Sequence, residues 1–357
     1  MDPRLTRRSA RFALLLLAFL AAASSASAAA RPNGRNRAAV VTGPRLERSE
    51  PVLGDVLSIA AASRGIVVDT VRASAAVDHA FEEARRLAGV FGPDDGASEL
   101  AGLNRAAAER RVTCSADLYA TLEAAAAVAD ETDGAYDPTG GPLLRAWGRR
   151  GSGRAPAADD VAAARLLVGR RMLLLDPTTR TARFVRPGME VVLGPVARGY
   201  LLERLAEGLR ERGIGRARLE LGGDVLAFTS HDAWSAAVPD PADPGRTAMT
   251  LMVSNAAVAT AGTGSEGTAL VIDPRTGQRP PGDASVTVVE RTALRVRALA
   301  EALLVLGRDG AAAYARAHPA TGVLWLEPLE GDVRAWAWNL GRVQPEPGER
   351  VDWMTGP

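Results

Sequence analysis

Residues 172–185 read MLLLDPTTRTARFV, in which two short apolar runs flank a turn at Pro177-Thr178-Thr179. Two such runs joined by a tight, proline-containing turn are typical of a β-hairpin. Further strands are predicted along the chain, at 56–62, 189–194, 216–221, 224–229, 234–238, 247–253, 269–273, 284–290, 322–326 and 333–338. Because several of these strands are separated by short turns, the sequence favours mixed and antiparallel sheets over a doubly wound parallel sheet.

Helical periodicity occurs before and between these strands. Apolar residues recur at helical spacing from Val77 to Phe91. Ser115 can cap a second helix, which Gly134 ends and whose apolar stripe comprises Leu118, Leu122, Ala125 and Ala129. Two more helices are predicted over 197–212 and 293–306. Packed helices that are partly segregated from hairpin-linked strands predict an α+β fold.

The composition excludes several functional classes. The chain has 357 residues, of which 47% are hydrophobic and 24% charged, as in an ordinary globular protein. Its 43 Lys+Arg and 42 Asp+Glu leave no basic excess to drive nucleic-acid binding. All of these cations are Arg, so catalysis by a lysine amine is excluded. A single cysteine, Cys114, cannot form an intramolecular disulfide, and three widely spaced histidines do not predict a histidine-rich metal centre.

The N-terminus has the parts of an export signal. Four arginines precede the apolar run 12–23, and Ala26-Ser27-Ala28 provides an A-x-A cleavage site. The apolar run is too short to span a bilayer comfortably, which favours a cleaved signal peptide over a permanent anchor. We therefore expect residues 1–28 to be removed and the mature protein to be exported to a periplasmic or other extracytoplasmic space.

Three further segments follow the predicted signal peptide. Residues 29–50 are rich in Arg, Pro and Gly without periodicity, and we expect a linker there. A folded domain is predicted over 51–343. Residues 344–357 contain three prolines and two glycines, and we expect them to form a loosely packed tail.

Four stretches combine turn residues with polar side chains. Residues 136–148 place a carboxylate and a hydroxyl on a rigid Pro/Gly loop after a helix. Residues 191–200 turn a strand into a helix N-terminus, which would direct backbone N–H groups and an arginine at an anion. Residues 220–224 put a glycine pair between two strands, and residues 272–277 form a turn rich in polar side chains. Each stretch alone is compatible with a structural role, and their joint presence favours a ligand site.

In this order, the stretches resemble the motifs of the ApbE family of FAD:protein FMN transferases. Residues 136–148 are similar to the family's Phe-Asp-Pro-Thr-x-Gly-Pro-Leu followed by Trp-Gly, and residues 98–104 to its Ser-Glu-Leu-x-x-Leu-Asn. The family's Asp-Leu-Gly-Gly-x-Ala-Lys-Gly-Tyr, Gly-Gly-Asp and His-Ile-Ile-Asp-Pro-Arg-Thr-Gly correspond to residues 192–200, 222–224 and 270–277. The resemblance extends over nearly the whole predicted domain.

This resemblance implies an ApbE-like flavin transferase fold and a specific reaction. Such enzymes bind FAD, use Mg²⁺ on its pyrophosphate, and move FMN onto a Thr or Ser hydroxyl of an exported or membrane flavoprotein, with release of AMP. The implied partners are FAD and the acceptor flavoprotein, with no nucleic acid and with a membrane only through the acceptor. By matching positions, the implied FAD-binding residues are Ala135, Tyr136, Asp137, Arg198, Val271 and Asp273, with Arg198 in the place of the family's lysine.

The sequence departs from the family at the implied metal site. The family's Asp and Thr, four residues apart on one helix, correspond to Arg297 and Glu301, and an Asp of another motif corresponds to Val192. A guanidinium cannot ligate a metal. Glu301 is either a substitute Mg²⁺ ligand or the partner of Arg297 in an i,i+4 ion pair that fills the space of the ion. The alternative to an active transferase is therefore a degenerate, metal-free member that binds flavin or a partner protein.

The export signal predicts that the mature protein begins near Ala29, because cleavage follows the A-x-A site. N-terminal sequencing of the protein purified from its native host tests this. Intact residues 1–28 on a soluble cytoplasmic pool would contradict the prediction.

Overall fold

The computed structural model describes residues 45–62, 70–92, 96–148, 155–229, 232–263, 270–341, 343–347 and 351–354. They belong to one compact unit, Ala38–Pro357, and the predicted signal peptide lies outside the described residues. The described helices are α1 Thr70–Phe91, α2 Glu99–Ala106, α3 Ala116–Glu131, α4 Gly141–Ala146, α5 Ala158–Arg165, α6 Gly194–Glu211 and α7 Val296–Ala317. None of these helices is both long and apolar enough to cross a membrane.

The described strands are distributed along the whole domain. They are β1 Leu46–Val52, β2 Asp55–Ala62, β3 Val112–Thr113, β4 Leu173–Asp176, β5 Thr181–Phe184, β6 Arg216–Leu221, β7 Asp224–Phe228, β8 Trp234–Pro239, β9 Thr247–Val253, β10 Ala256–Gly262, β11 Ser285–Glu290, β12 Gly322–Leu329, β13 Asp332–Trp338, β14 Val343–Pro347 and β15 Val351–Trp353. β4 and β5 pair as an antiparallel hairpin, which confirms the prediction for residues 172–185.

A nine-stranded sheet with the order β1-β2-β6-β7-β10-β11-β12-β13-β15 forms the centre of the fold. Its neighbouring strands are antiparallel except β13 and β15, which are parallel. Two smaller sheets, β14-β9-β8 and β3-β5-β4, accompany it. Mixed sheets with packed helices confirm the predicted α+β class.

The central strands are buried on both faces. On β7, Leu226 and Phe228 join the larger core, which includes residues of α1, α3, α6 and α7. Val225 and Ala227 of the same strand join a second core with residues of β8 and β9. Because successive side chains of a strand point to opposite faces, a sheet covered on both sides requires continuous apolar runs such as the one in β7.

Helix signals in the sequence agree well with the structure. The Ser115 hydroxyl accepts a hydrogen bond from the Leu118 N–H at 3.2 Å, as expected for the cap of α3, and the predicted stripe of α3 is buried. The last predicted helix continues beyond residue 306. Its path is interrupted at Gly307, whose φ of +75° is left-handed, and it ends at Ala317.

The linker and the tail that the sequence predicts at the two ends of the domain include residues that form strands in the structure. β1 begins at Leu46 and pairs with β2, so the predicted linker 29–50 extends too far into the domain. The predicted tail 344–357 is also wrong, because β14 pairs with β9 and β15 pairs with β13. Both are edge strands, where a proline that lacks an N–H is tolerated. The prolines therefore do not mark a frayed segment.

Two predicted strands are absent from the described residues. Residues 189–194 form a single bridge, between Glu190 and Gly140, and α6 begins at Gly194. Residues 270–273 have no strand assignment, and residue 269 lies outside the described part of the chain.

Gly199 allows α6 to approach the segment that precedes α7. A Cβ at this position would lie 1.9 Å from the carbonyl oxygen of Ala293, which no backbone could accommodate without moving. The Ala293 N–H in turn donates a hydrogen bond to the Glu203 carboxylate of α6. This contact matters for the site because Arg198 precedes Gly199 and α7 carries Arg297.

We expect Gly199→Ala to lower the free energy of unfolding by about 3 kcal/mol or more, because the added methyl overpacks a backbone contact. The matched control is Gly208→Ala on the same helix, where the nearest atom to the added Cβ is a flexible arginine nitrogen at 3.6 Å. That variant should be neutral or more stable by about 0.5–1 kcal/mol. Denaturant unfolding of both variants checks this, and equal stabilities would contradict it.

Candidate active site

Asn104 holds the turn that leads into α6. Its side-chain amide donates to the carbonyl oxygen of Val191 at 2.9 Å, and its Oδ1 accepts from the Val191 N–H at 2.8 Å. The next N–H, of Val192, donates to the carbonyl of Pro138 at 2.8 Å. These bonds satisfy the backbone polar groups of the irregular segment at Val191 and Val192, and they hold the loop 136–148 against this segment.

The loops 136–148 and 270–277, which the sequence predicts to contact flavin, lie side by side. The indole N–H of Trp147 donates to the carbonyl oxygen of Gly277 at 3.0 Å. Gly277 has a φ of +74°, and a Cβ there would lie 2.5 Å from Val161 of α5. Glycine is therefore required both by the backbone conformation and by the packing.

Three of the predicted flavin-site residues lie in these two loops or directly before the first of them, and they are largely enclosed. Ala135 and Val271 are buried. Asp273 is held by its neighbour, because its Oδ1 accepts from both the Arg275 N–H and the Arg275 guanidinium at 2.9 Å. The contacts of these residues with FAD stay a prediction.

Asp137 accepts hydrogen bonds from its own loop and from a neighbouring turn. Its Oδ1 accepts from the Thr139 N–H at 2.8 Å and from the Thr139 hydroxyl at 2.6 Å, and its Oδ2 accepts from the Arg170 N–H at 2.7 Å. Burial raises the pKa of this carboxyl, although these hydrogen bonds act in the opposite direction. Both oxygens are thus engaged within the protein, and the contact of Asp137 with FAD stays a prediction.

Arg198 forms an ion pair with Asp55, and both side chains pack on Gly222. A Cβ at Gly222 would lie 2.6 Å from Arg198 Nη1 and 2.8 Å from Asp55 Oδ2. Gly222 and Gly223, with φ of +56° and +84°, form the two-residue turn between β6 and β7 that the glycine pair predicts. The pair remains partly accessible, with 24% of the Arg198 side chain exposed.

Arg297 is buried in the first turn of α7 and is bonded only to oxygen atoms in the described residues. Its Nε donates to Asp224 Oδ1 at 2.8 Å, and its Nη2 donates to the same oxygen and to the Gly222 carbonyl at 3.4 Å. Its Nη1 donates to the carbonyl of Thr260 in β10. The predicted i,i+4 ion pair with Glu301 is therefore wrong, because Asp224 of a distant strand is the partner.

Glu301 lies near the two arginines and near Tyr136 of the loop 136–148. Burial raises the pKa of Glu301 to about 7, although the charges of Arg297 and Arg198 act in the opposite direction. Burial also raises the pKa of Tyr136, and the nearby carboxyl of Glu301 adds to this effect. The Tyr136 hydroxyl is buried and has no hydrogen-bond partner in the described parts of the chain. One polar region thus contains predicted site residues from helices α6 and α7 and from the loop 136–148.

Sequence reasoning missed three residues of this region as site residues. Asn104 and Asp224 belong to motif stretches, but their partners are 87 and 73 positions away in the chain. Asp55 lies just after the Leu53-Gly54 turn and carries no motif of its own. Long-range pairing of this kind has no local signal.

The comparisons with known proteins identify the family. A family model described as the ApbE family matches residues 54–325. This match spans most of the sequence, and the chain belongs to the ApbE family.

Relatives and solved structures agree with this assignment. The chain is 26% identical over 324 residues to the FAD:protein FMN transferase of Treponema pallidum (strain Nichols), over 83% of this chain and 88% of that one. It is 30% identical over 168 residues to a protein of the same name from Klebsiella pneumoniae (strain 342), over 46% of this chain and about half, 52%, of that one. The structure of flavin transferase ApbE from Vibrio cholerae has a TM-score of 0.72 at 22% identity, covering 83% and 98%. The Thermotoga maritima ApbE protein has a TM-score of 0.70 at 25% identity, covering 86% and 97%.

The Mg²⁺ that the family resemblance implies does not fit the residues present. Arg297 replaces a ligand and occupies the carboxylate and carbonyl oxygens that a hard cation prefers. A guanidinium at this place also repels a divalent ion. Within the described ranges, no three His, Cys, Asp or Glu side chains are grouped so that they could hold a metal ion. The prediction that Glu301 ligates a metal stays untested.

Asp137→Asn should lower the free energy of unfolding by about 1–3 kcal/mol, because an amide has one acceptor oxygen and cannot accept from both Thr139 and the Arg170 N–H. The control is Asp130→Asn, an exposed carboxylate near Arg170, which should change stability by less than about 0.5 kcal/mol. Denaturant unfolding and FAD titration are measured together. Unchanged stability of Asp137→Asn with loss of FAD binding would instead assign this carboxylate to the ligand.

Proposed function

We propose that this protein is an FAD:protein FMN transferase that moves FMN from FAD onto a Thr or Ser hydroxyl of an exported or membrane flavoprotein. The observation that carries the proposal is the placement of Arg198 and Arg297 around the turn at Gly222. Glu301 lies near both arginines and near Tyr136 of the loop 136–148. Two arginine cations beside the turn at Gly222 suit the charged phosphates at the centre of a dinucleotide. The names of the relatives support the same reaction.

The reaction exchanges the phosphoanhydride linkage of FAD for a phosphoester linkage to the acceptor. The acceptor hydroxyl oxygen forms a bond to the phosphorus of the FMN half, and the bond between that phosphorus and the bridging oxygen breaks. AMP leaves with the bridging oxygen, and the hydroxyl proton passes to a base or to solvent. Such transfers depend mainly on positioning and on stabilising charge on the phosphoryl oxygens.

Arg198 is suited to contact the phosphates. It is partly exposed, and only one of its nitrogens is bonded to Asp55 in the described structure, so further N–H donors are available to an anion. Arg297 has its nitrogens largely committed to Asp224, Thr260 and Gly222. It therefore contributes a fixed positive charge more than a set of hydrogen bonds.

The proposed acceptor and location follow from the N-terminus and the reaction. A protein exported by its signal peptide meets acceptor domains that lie outside the cytoplasmic membrane. The acceptor needs an accessible Thr or Ser hydroxyl that can reach the FMN phosphorus. Contact with a membrane would come through that acceptor.

A second candidate function is flavin or partner binding without transfer. Arg297 and Glu301 at the implied metal-ligand positions favour it, because they remove the Lewis acid that would polarise the transferred phosphoryl group. The two functions differ in one measurement, since a binding protein would retain FAD and leave an acceptor unmodified.

Incubation with FAD and a flavin-acceptor domain should increase the mass of the acceptor by one FMN residue, and AMP should appear in equal amount. Free FMN in place of FAD should give no product, because it lacks the AMP leaving group. An acceptor whose hydroxyl residue is replaced by Ala should stay unmodified. Bound FAD with an unchanged acceptor mass would instead assign the binding function.

Arg198→Gln should lower the transfer rate about a hundredfold, because a donor to the developing phosphoryl charge is lost. Its matched control is Arg204→Gln on the same helix, whose exposed side chain pairs with Glu207. The control should transfer FMN at the rate of the unmodified protein. Equal rates for Arg198→Gln and Arg204→Gln would remove Arg198 from the reaction.

A further inference from the structure

The Arg297 guanidinium occupies a cradle made of anionic and carbonyl oxygens. Its surroundings are Asp224 Oδ1 and the main-chain carbonyls of Thr260 and Gly222, which come from the β6–β7 turn and from β10. Only 11% of the Arg297 side chain is exposed. A cation is thus built into the chain at the centre of the polar region.

Oxygens of this kind are the usual ligands of a hard divalent cation. Carboxylates and backbone carbonyls bind Mg²⁺ and Ca²⁺ in proteins. Here the same oxygens accept hydrogen bonds from a guanidinium, whose five N–H donors are fixed in a plane and which keeps its charge at every physiological pH. A metal ion entering this cradle would have to displace the guanidinium and then bear its repulsion.

We propose that Arg297 is a tethered cation in the place of a divalent ion, so that this chain binds the pyrophosphate of FAD without metal. The inference rests on the proposed flavin-dinucleotide site and goes beyond it, since it concerns which cation faces the ligand. Arg297 supplies the buried charge, and Arg198, one helix away, supplies donors at the accessible side. Asp224 Oδ2 is also buried and has no hydrogen-bond partner among the described residues, so the charge of this carboxylate is directed mainly at Arg297.

The first test uses the unmodified protein and FAD alone. FAD affinity, measured by flavin fluorescence or calorimetry, should change by less than about twofold between excess chelator and millimolar Mg²⁺. Mg²⁺ without FAD should not shift the melting temperature. FAD binding that requires Mg²⁺ would overturn the inference but leave the proposed function intact, whereas no FAD binding under either condition would overturn the proposed function itself.

The second test restores the family pattern with Arg297→Asp and Glu301→Thr in one variant. In chelator, its FAD affinity should be at least about tenfold weaker, and Mg²⁺ should restore affinity and raise the melting temperature. Arg297→Lys, which keeps the charge, should stay insensitive to Mg²⁺. Arg308→Gln, an exposed position later on α7, is the control and should behave like the unmodified protein. A double variant whose binding and melting ignore Mg²⁺ would contradict the assignment of this cradle.

Discussion

The buried ion pair between Arg297 and Asp224 is the interaction on which the arrangement of the site depends. It connects the first turn of α7 to the β6–β7 turn, and the bond from Arg297 to the Thr260 carbonyl adds β10. Burying two charges costs about as much as their attraction returns, whereas removing one partner of such a pair costs about 3–5 kcal/mol. We infer that the pair contributes mainly by fixing which elements meet. The glycine turn at Gly222 and the close approach at Gly199 are the local conditions for that meeting.

Charge at the site is nearly balanced. Arg198 and Arg297 face the carboxyls of Asp55, Asp224 and Glu301. Because burial raises the pKa of Glu301 to about 7, this carboxyl is partly protonated near neutral pH. The site therefore lacks a strong net positive charge, and recognition of a phosphate depends on individual N–H donors at the right places. This explains why Arg198, whose donors are accessible, and Arg297, whose donors are committed, have different parts in binding.

Local sequence signals predicted the elements well and their partners poorly. The Ser115 cap, the hairpin at 172–185 and the Gly222-Gly223 turn follow from short-range chemistry, and the structure has all three. β1 and β14 were missed because edge strands tolerate prolines and charges that otherwise indicate loops. The motifs also identified the loops 136–148 and 270–277, which lie side by side in the structure. Glycine and proline mark such loops in a sequence, because glycine permits unusual backbone conformations and proline fixes the φ angle.

The ion pair of Arg297 shows that local spacing in the sequence does not determine long-range contacts. Spacing on a helix favoured Glu301, four residues along, since residues three or four apart lie on one face of a helix and can form ion pairs. The structure uses Asp224 instead, because packing of α7 on β10 and β11 buries the guanidinium beside Asp224, where an unpaired charge would be costly. Tertiary burial therefore decided the pairing, and Glu301 was left without a fixed partner in the described structure, close to the loop at Tyr136.

A guanidinium and a divalent cation are not equivalent in phosphoryl transfer. A metal ion accepts electron pairs from phosphoryl oxygens and polarises them directly, whereas a guanidinium carries a single, delocalised charge and acts through hydrogen bonds. A tethered cation, however, needs no loading and cannot be removed by a chelator or by dilution. Replacing the ion by Arg297 would thus preserve recognition of the pyrophosphate more fully than the rate of transfer. Binding of the pyrophosphate depends on the charge and the hydrogen bonds of this cation, whereas the rate of transfer depends on how strongly the cation polarises the phosphoryl group. A strong affinity for FAD would therefore not imply fast transfer in this chain.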